Sequence, residues 1–247
     1  MTEQVYGVHA VTALLAREPQ TVARLLIQAG QGDKRLAGLR AQAEAAGIAV
    51  EELPRRELDR RVPGRHQGVI AELAAASLPR YGEGDISDVL DAAGPTPLVL
   101  VLDQVTDPHN LGACLRTADA AGVCLVLAPR DKAASLNATA RKVACGAAET
   151  VPFVAVTNLA RSLRELKERG IWLVGAAGEA ERSLYAQDLR GPVALVMGAE
   201  GSGLRRLTRE HCDYLVHLPM AGAVSSLNVS VATGICLFEA LRQRLAV

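Results

Sequence analysis

Three loops in the C-terminal half of the chain contain nearly all of its unusual polar residues. NLGACLRTA holds Asn110 and Arg116, the glycine-rich MGAEGSGL holds Glu200, and SSLNVS, which follows LPM, holds Ser226 and Asn228. The third loop leads into a long apolar segment that we predict to be a helix, so its hydroxyl and amide groups lie beside free helix N–H donors. This combination predicts a ligand-binding site.

Each loop also has an ordinary structural interpretation. Asn110 and Ser226 could be helix caps, Glu200 could be a solvated residue of a glycine turn, and His109 is better explained as a turn residue than as a base. The glycines of MGAEGSGL are spaced G-x-x-G-x-G, which is neither the dinucleotide fingerprint nor a phosphate-binding loop with its lysine. A nucleotide-dependent oxidoreductase is therefore disfavoured.

The elements that must position these loops alternate between apolar strands and helices from residue 98 to the end. Such a pattern predicts an α/β domain with a mostly parallel sheet that is covered on both faces, and it places binding at the carboxyl ends of the strands. The predicted strands are 97–105, 123–128, 152–156, 171–176, 193–198 and 214–218. Between them, helices are predicted at 111–122, 136–147 and 159–169, with a short turn near 204–210.

The final helix is predicted to begin within the pair Ser225 and Ser226 and to be apolar nearly all round. A helix of this kind is usually buried on two sides, so we expect it to pack on its own sheet and on another surface, such as a second copy of the chain. One apolar stripe contains Leu227, Val231, Ile235, Phe238 and Leu241, and the other contains Val229, Ala232, Cys236 and Ala240.

Residues 1–76 are predicted to form a separate small α/β unit, and residues 77–97 a linker with one short helix at 86–92. A loop-like stretch of the small unit concentrates basic side chains. These either form a solvated charged face or contact the phosphates of an RNA backbone. They are Arg55, Arg56, Arg60, Arg61, Arg65 and His66.

Composition limits the function classes. The chain has 27 basic and 27 acidic residues and only 3% aromatics, so an RNA site must be a local patch that does not depend on many stacked bases. Five widely spaced cysteines without metal-ligand spacing indicate buried thiols in a reducing cytoplasm rather than zinc or disulfides. Without a signal-peptide pattern or an apolar run near 20 residues, the chain is predicted to be cytoplasmic and soluble, with no membrane and no metal.

The order N-L-G-x-x-x-R-T-A, G-x-E-x-x-G and L-P-M followed by S-S-L-N-V-S resembles the three motifs of the SpoU/TrmH family of RNA ribose 2′-O-methyltransferases, within the SPOUT superfamily. The match spans roughly residues 98–243. The front unit, with RHQGV at 65–69, resembles the L30e-like RNA-binding domain of the subgroup that methylates a guanosine in the peptidyl-tRNA-binding loop of bacterial 23S rRNA.

This resemblance implies a homodimer with a trefoil knot formed by the loops at 175–178, 198–201, 218–220 and 225–228. The knot would hold S-adenosylmethionine. The residues implied in cofactor binding are Gly175, Gly198, Gly201, Leu218, Met220, Ser226 and Leu227.

The resemblance also assigns chemical roles. Asn110 and Glu200 would fix the guanidinium of Arg116, while Ser226 and Asn228 would hold the loop and the ribose. Arg116 matches the arginine that is proposed as the base, yet an arginine normally stays protonated. Either a cationic, phosphate-linked environment makes it a transient base, or it stabilises the developing alkoxide while a phosphate or water takes the proton. Methylation of tRNA and a non-catalytic ribosome-assembly role remain the alternatives.

Overall fold

Two sheets, each covered by helices, organise the chain. The computed structural model describes residues 4–30, 33–62, 65–73, 81–199 and 201–245. The first unit consists of β1 (Gln4–Tyr6), α1 (Val8–Arg17), β2 (Val22–Gln28), α2 (Lys34–Ala45), β3 (Ala49–Leu53), α3 (Arg55–Arg61) and β4 (Val69–Leu73). Its strands lie in the order β1-β4-β2-β3, with β4 antiparallel to both neighbours and β2 parallel to β3. The predicted small α/β unit is therefore confirmed.

The basic stretch of the first unit is a helix rather than the loop that we predicted. Helix α3 covers Arg55–Arg61, and it turns only Leu58 inward, onto a small core beneath the sheet. A helix with a single buried apolar residue shows no apolar periodicity, so its sequence looked like a solvated loop.

The second unit is an α/β layer structure. It consists of α4 (Ile86–Ala92), β5 (Leu98–Asp103), α5 (Pro108–Ala120), β6 (Leu125–Pro129), α6 (Ala138–Ala144), β7 (Phe153–Val156), α7 (Leu159–Glu168), β8 (Trp172–Ala176), β9 (Arg182–Ser183), β10 (Val193–Gly198), α8 (Arg206–His211), β11 (Tyr214–His217) and α9 (Val229–Leu245). The sheet order is β7-β6-β5-β10-β8-β11-β9, and every pairing is parallel. The predicted parallel sheet is confirmed.

Alternate residues of the central strands pack into different cores, as the two-residue period of a strand requires. Leu100 and Leu102 of β5 join the core beneath α5 and α9, whereas Val99 and Val101 join the core beneath α4 and α7. Helix α4 has the predicted bounds, but it is not a free linker helix. Two of its side chains, at 86 and 90, are buried in the second core, so the helix belongs to the second unit.

The last helix begins later than we predicted. It starts at Val229, and the Asn228 side chain accepts a hydrogen bond from the Ser230 N–H at 2.9 Å, as an N-cap residue does. Residues 225–228 are therefore a loop in front of the helix. The stripe with Val229, Cys236 and Ala240 is buried on the sheet, as expected.

The other predicted stripe of α9 is partly exposed, since Ile235 packs against the core but two of its residues face outward. Val231 is 51% exposed and Phe238 is 48% exposed, although both are large apolar residues. In the part of the chain that the structure describes, no helix is long and apolar enough to cross a membrane. Exposed apolar residues on a helix that does not cross a membrane are typical of a protein–protein contact.

The two units touch through α1 and β1 of the first and α6 of the second. A Cβ atom added to Gly146, whose φ is 100°, would lie 2.5 Å from the Cβ atom of Ala13, so the backbones meet closely there. The Lys142 ammonium lies 5.6 Å from the centre of the Tyr6 ring. Burial also raises the pKa of the Glu149 carboxyl, which forms an ion pair with Arg141 at 2.9 Å.

Candidate active site

A cavity of about 630 Å³ opens where β8, β10 and β11 end, at the carboxyl edge of the sheet. Its walls are the loops that follow these strands and the segment that enters α9. They include residues 176–179, 197–199, 201–204 and 225–229, together with Leu218 and Met220. The expected position of a binding site in a parallel sheet is thus occupied by a cavity of ligand size.

The turn after β10 forms one wall and explains its glycines. The Ala199 N–H donates to the Gly203 carbonyl at 3.1 Å, and the Gly203 N–H donates back to Ala199 at 3.0 Å. A Cβ atom on Gly198 would overlap the carbonyl carbon of Gly203, well inside van der Waals contact. Gly201 has a φ of 81°, which glycine adopts without strain. Glu200 lies outside the described residues, so its predicted role stays a prediction.

A pair of asparagines joins the first loop to the third. The Asn228 Nδ2 donates to the Asn110 Oδ1 at 3.0 Å, across 118 positions of sequence, and Asn228 lines the cavity. Asn110 lies inside α5 and is buried, whereas the N-cap of that helix is Asp107, which accepts from the His109 N–H. The interpretation of Asn110 as an N-cap is therefore wrong, and its amide positions the cavity wall.

Arg116 lies apart from this cavity. It is six residues beyond Asn110 on α5, a rise of about 9 Å along a helix. Its side chain is exposed, and its Nη1 lies 3.6 Å from the Cys145 Sγ, just beyond α6. The described residues of one chain thus bring together Asn110, Asn228 and the cavity, with Arg116 on an adjoining surface.

Most of the predicted cofactor-binding residues line the cavity, and one does not. Those that line it are Gly198, Gly201, Leu218, Met220, Ser226 and Leu227. Gly175 lies inside β8, and a Cβ atom there would be 2.8 Å from the Cys212 Sγ. A glycine is required there by packing, and Gly175 is not among the residues that line the cavity, so its cofactor contact stays a prediction.

Two protein-family models match this chain, one for each of its two units. Residues 97–238 match the model of the SpoU rRNA Methylase family, and residues 4–79 match the model described as RNA 2'-O ribose methyltransferase substrate binding. The chain belongs to the SpoU rRNA methylase family. The residues between the two matches, 80–96, include α4 and end just before β5.

Individual members of the SpoU family are similar over nearly the whole chain. The 23S rRNA (guanosine-2'-O-)-methyltransferase RlmB of Pseudomonas aeruginosa is 60% identical over 242 residues, which cover 98% of this chain and 97% of that one. The RlmB of Haemophilus influenzae is 57% identical and covers 99% of both chains. The crystal structure of the SpoU methyltransferase AviRb from Streptomyces viridochromogenes has a TM-score of 0.80 at 26% identity, covering 99% of this chain and 90% of that one. Its complex with AdoMet has a TM-score of 0.78 at 25% identity, covering 99% and 91%.

The substrate-binding unit of this SpoU protein presents a basic face on and beside α3. Exposed arginines at 55, 56 and 60 lie on the helix, and Arg65 follows it. Arg55 lies 3.9 Å from a carboxylate oxygen of Asp59 on the same helix. Arg61 is held more closely, because its Nη1 pairs with Glu72 of β4 at 2.9 Å.

His66 is not part of this basic face. Its side chain is only 3% exposed, its Nε2 lies 2.9 Å from an Asp59 carboxylate oxygen, and its Nδ1 accepts the Gly68 N–H at 3.0 Å. Because both ring nitrogens are already engaged inside the unit, our prediction of an RNA contact for His66 is wrong. Its role is to hold the turn into β4.

Sequence reasoning missed two charged residues at the cavity. Glu179, after β8, and Arg209, on α8, form an ion pair, and both line the cavity. Glu179 could have been found, because it follows a predicted strand at the carboxyl edge. The position of Arg209 depends on how α8 packs on α7, which the sequence pattern does not reveal.

Within the described ranges, the five cysteine thiols form no disulfide bond with one another. Burial raises the pKa of Cys212 and of Cys236 to about 12, which keeps both thiols protonated at neutral pH. Among these residues, no group of three or more His, Cys, Asp or Glu side chains is arranged to hold a metal ion.

Proposed function

We propose that this protein transfers a methyl group from S-adenosylmethionine to the ribose 2′-hydroxyl of a guanosine in the peptidyl-tRNA-binding loop of 23S rRNA, in the cytoplasm. The observation that carries the proposal is the 60% identity, over nearly the full length, to a methyltransferase named for that 23S rRNA reaction. The basic face on and beside α3 of the first unit supports an RNA substrate.

The cavity fits the cofactor. Its volume lies in the range of about 300–1,000 Å³ that is typical of small-molecule sites. The exposed backbone of the glycine turn lets an adenosine approach closely, and Leu218 and Leu227 provide apolar walls. When bound, S-adenosylmethionine would supply a methyl group on a sulfonium sulfur, and the neutral thioether would be the leaving group.

The chain itself contributes alignment and charge stabilisation. The Asn110–Asn228 hydrogen bond holds the entrance to α9 in place, and Ser226 beside it presents a hydroxyl to the ribose. Arg116 keeps its proton and stabilises the negative charge that develops on the 2′-oxygen, while a phosphate or water accepts the hydroxyl proton. This assignment follows from the chemistry of a guanidinium, which is effectively always charged in proteins.

A homodimer and a trefoil knot complete the proposal. The exposed stripe of α9 packs against the same stripe of a second copy, which places the dimer contact next to the cavity, because α9 begins at the cavity wall. The loops at 175–178, 198–201, 218–220 and 225–228 form the knot, and the front unit is L30e-like. The similarity to a SpoU methyltransferase structure over 99% of the chain supports the knot and the L30e-like fold of the front unit.

Phe238→Glu is expected to convert the dimer into a monomer. A buried aromatic anchor at an interface contributes about 2 kcal/mol or more, so the dimer dissociation constant should rise by about 30-fold or more. Light scattering after size exclusion measures it. Leu207→Glu is the matched control, because Leu207 is equally exposed on α8, which packs on α7 at the other face of the sheet. An unchanged dimer in Phe238→Glu would contradict this interface.

Replacing Arg55, Arg56 and Arg60 together with Ala should weaken rRNA binding and reduce its salt dependence. Each lost phosphate contact lowers the slope of log K against log salt by about 0.7–0.9, so the triple change should lower it by about 2 to 3. Filter binding at several salt concentrations measures the slope. The control replaces Lys34, Arg35 and Arg40, which lie on α2 of the same unit. Equal slopes in both triple variants would reject the basic face as the RNA contact.

Methyl transfer to different RNAs tests the proposed reaction. Purified protein is incubated with labelled S-adenosylmethionine and either 23S rRNA or total tRNA, and we expect label in the rRNA alone. Label in tRNA alone would keep the chemistry and overturn the substrate. Binding of the cofactor without transfer to either RNA would indicate the non-catalytic assembly role instead.

A further inference from the structure

Asp103 is a fully buried carboxylate at a junction between two active-site loops. It is the last residue of β5, its exposure is 0%, and it stands beside Gly198 of β10 in the sheet register. The next residue, Gln104, has a φ of 63°, so the backbone turns sharply at the start of the segment that leads into α5, the helix that contains Asn110. A charge buried at such a place requires partners.

Both partners come from one residue, Arg205. The Arg205 N–H donates to the Asp103 Oδ2 at 3.0 Å, and the Arg205 Nε donates to the Oδ1 at 2.6 Å. Arg205 follows the glycine turn directly and precedes α8. The carboxylate is therefore engaged by a backbone donor and a guanidinium donor at once, which is a strong arrangement for a buried charge.

The position of Arg205 decides what this contact does. The turn that forms the cavity wall leaves the sheet at Gly198, which is held by pairing between β10 and β5, and returns at Leu204. Between these points, the two hydrogen bonds between Ala199 and Gly203 keep the turn narrow. The Asp103 contact adds a polar tie to the sheet beside the packing of Leu204 on the core beneath α4 and α7.

We propose that Asp103 and Arg205 form a positioning pair that sets the glycine turn in the conformation that binds S-adenosylmethionine. The pair does not touch the cofactor, because Asp103 is sealed in the sheet and neither side chain lines the cavity. It acts on cofactor affinity by fixing the wall in advance, so that binding does not have to order it. This proposal rests on the proposed function, because that function identifies the ligand as S-adenosylmethionine.

Asp103→Asn tests the pair with little change of size. The amide cannot accept both Arg205 donors, so calorimetry should show a Kd for S-adenosylmethionine that is raised by about tenfold or more. Arg205→Lys keeps the hydrogen bond from the backbone N–H and the positive charge but loses the Nε donor. Its Kd for S-adenosylmethionine should lie between those of the wild type and of Asp103→Asn. Arg206→Gln is the matched control. Arg206 is the next residue in the sequence, it is exposed, and among the described residues it pairs only with Glu210.

Kinetics separate positioning from a general loss of structure. In Asp103→Asn the KM for S-adenosylmethionine should rise, while kcat at saturating cofactor and the KM for RNA stay near their wild-type values. Arg205→Gln leaves a buried carboxylate without its guanidinium, so the double variant Asp103→Asn/Arg205→Gln should bind the cofactor at least as tightly as Arg205→Gln alone.

The outcomes distinguish this inference from the proposed function. A wild-type Kd in Asp103→Asn and in Arg205→Lys, with both variants folded by circular dichroism, would overturn the positioning pair and leave the enzyme's reaction intact. Should Asp103→Asn not fold, the half-exposed Arg205→Lys carries the test alone. No binding of S-adenosylmethionine by the wild-type protein would instead overturn the proposed function.

Discussion

Replacing Arg116 with Ala should lower kcat for methyl transfer to rRNA by about 100-fold or more, which is the typical effect of removing one charge-stabilising donor. The 2′-oxygen becomes negative as it attacks the methyl group, and without the guanidinium no cation of α5 opposes that charge. The Kd for S-adenosylmethionine should not change, because Arg116 does not line the cavity. Single-turnover kinetics and calorimetry measure the two quantities separately.

Two companion variants sharpen this result. Arg116→Lys keeps a positive charge and should recover part of the rate, which favours charge stabilisation over proton abstraction by the guanidinium. Arg164→Ala removes an exposed arginine from α7, on the opposite face of the sheet, and should leave the rate unchanged. Normal turnover by Arg116→Ala would remove this residue from the mechanism.

Gly198→Ala should weaken cofactor binding and also destabilise the protein. The new methyl group would overlap the carbonyl carbon of Gly203, which is backbone and cannot move aside as a side chain would. Overpacking of this kind typically costs about 1–3 kcal/mol of folding free energy. The glycine turn must therefore shift into or away from the cavity, and calorimetry with S-adenosylmethionine should show a Kd raised by about tenfold or more.

Gly178→Ala is the control within the same cavity. Gly178 also lines the wall, yet a Cβ atom there meets nothing within 4 Å and its φ is not positive. It should fold and bind the cofactor nearly as the wild type does. Equal cofactor affinity in both alanine variants would show that the narrow turn after β10 is not what the ligand requires.

The sheet and most helices follow from local sequence pattern. Strands such as β5 and β10 are uninterrupted apolar runs between polar loops, and α7 buries Leu159, Leu163 and Leu166 at helical spacing, so both kinds of element are visible without any tertiary information. Strand β9 was missed because its two residues, Arg182 and Ser183, are too few to form a pattern.

The remaining features depend on contacts between distant segments. The start of the last helix was predicted too early because Leu227 continues one apolar stripe and serine is a preferred N-cap residue. In the structure the helix begins at Val229, and the Asn228 side chain is held by Asn110 of α5. Burial of His66 likewise results from Asp59 and the turn into β4. The three motifs indicated the candidate residues, but the Asn110–Asn228 contact and the separate position of Arg116 required the packed structure.

The most direct test of the proposed function is to map the methylated nucleotide in 23S rRNA after reaction with the purified protein and labelled S-adenosylmethionine. Nuclease digestion followed by mass spectrometry identifies both the base and the position of the methyl group. We predict one 2′-O-methylguanosine in the peptidyl-tRNA-binding loop, absent from a parallel reaction with Arg116→Ala. A methyl group on a base, or on the ribose of a nucleotide outside that loop, would contradict the proposed function.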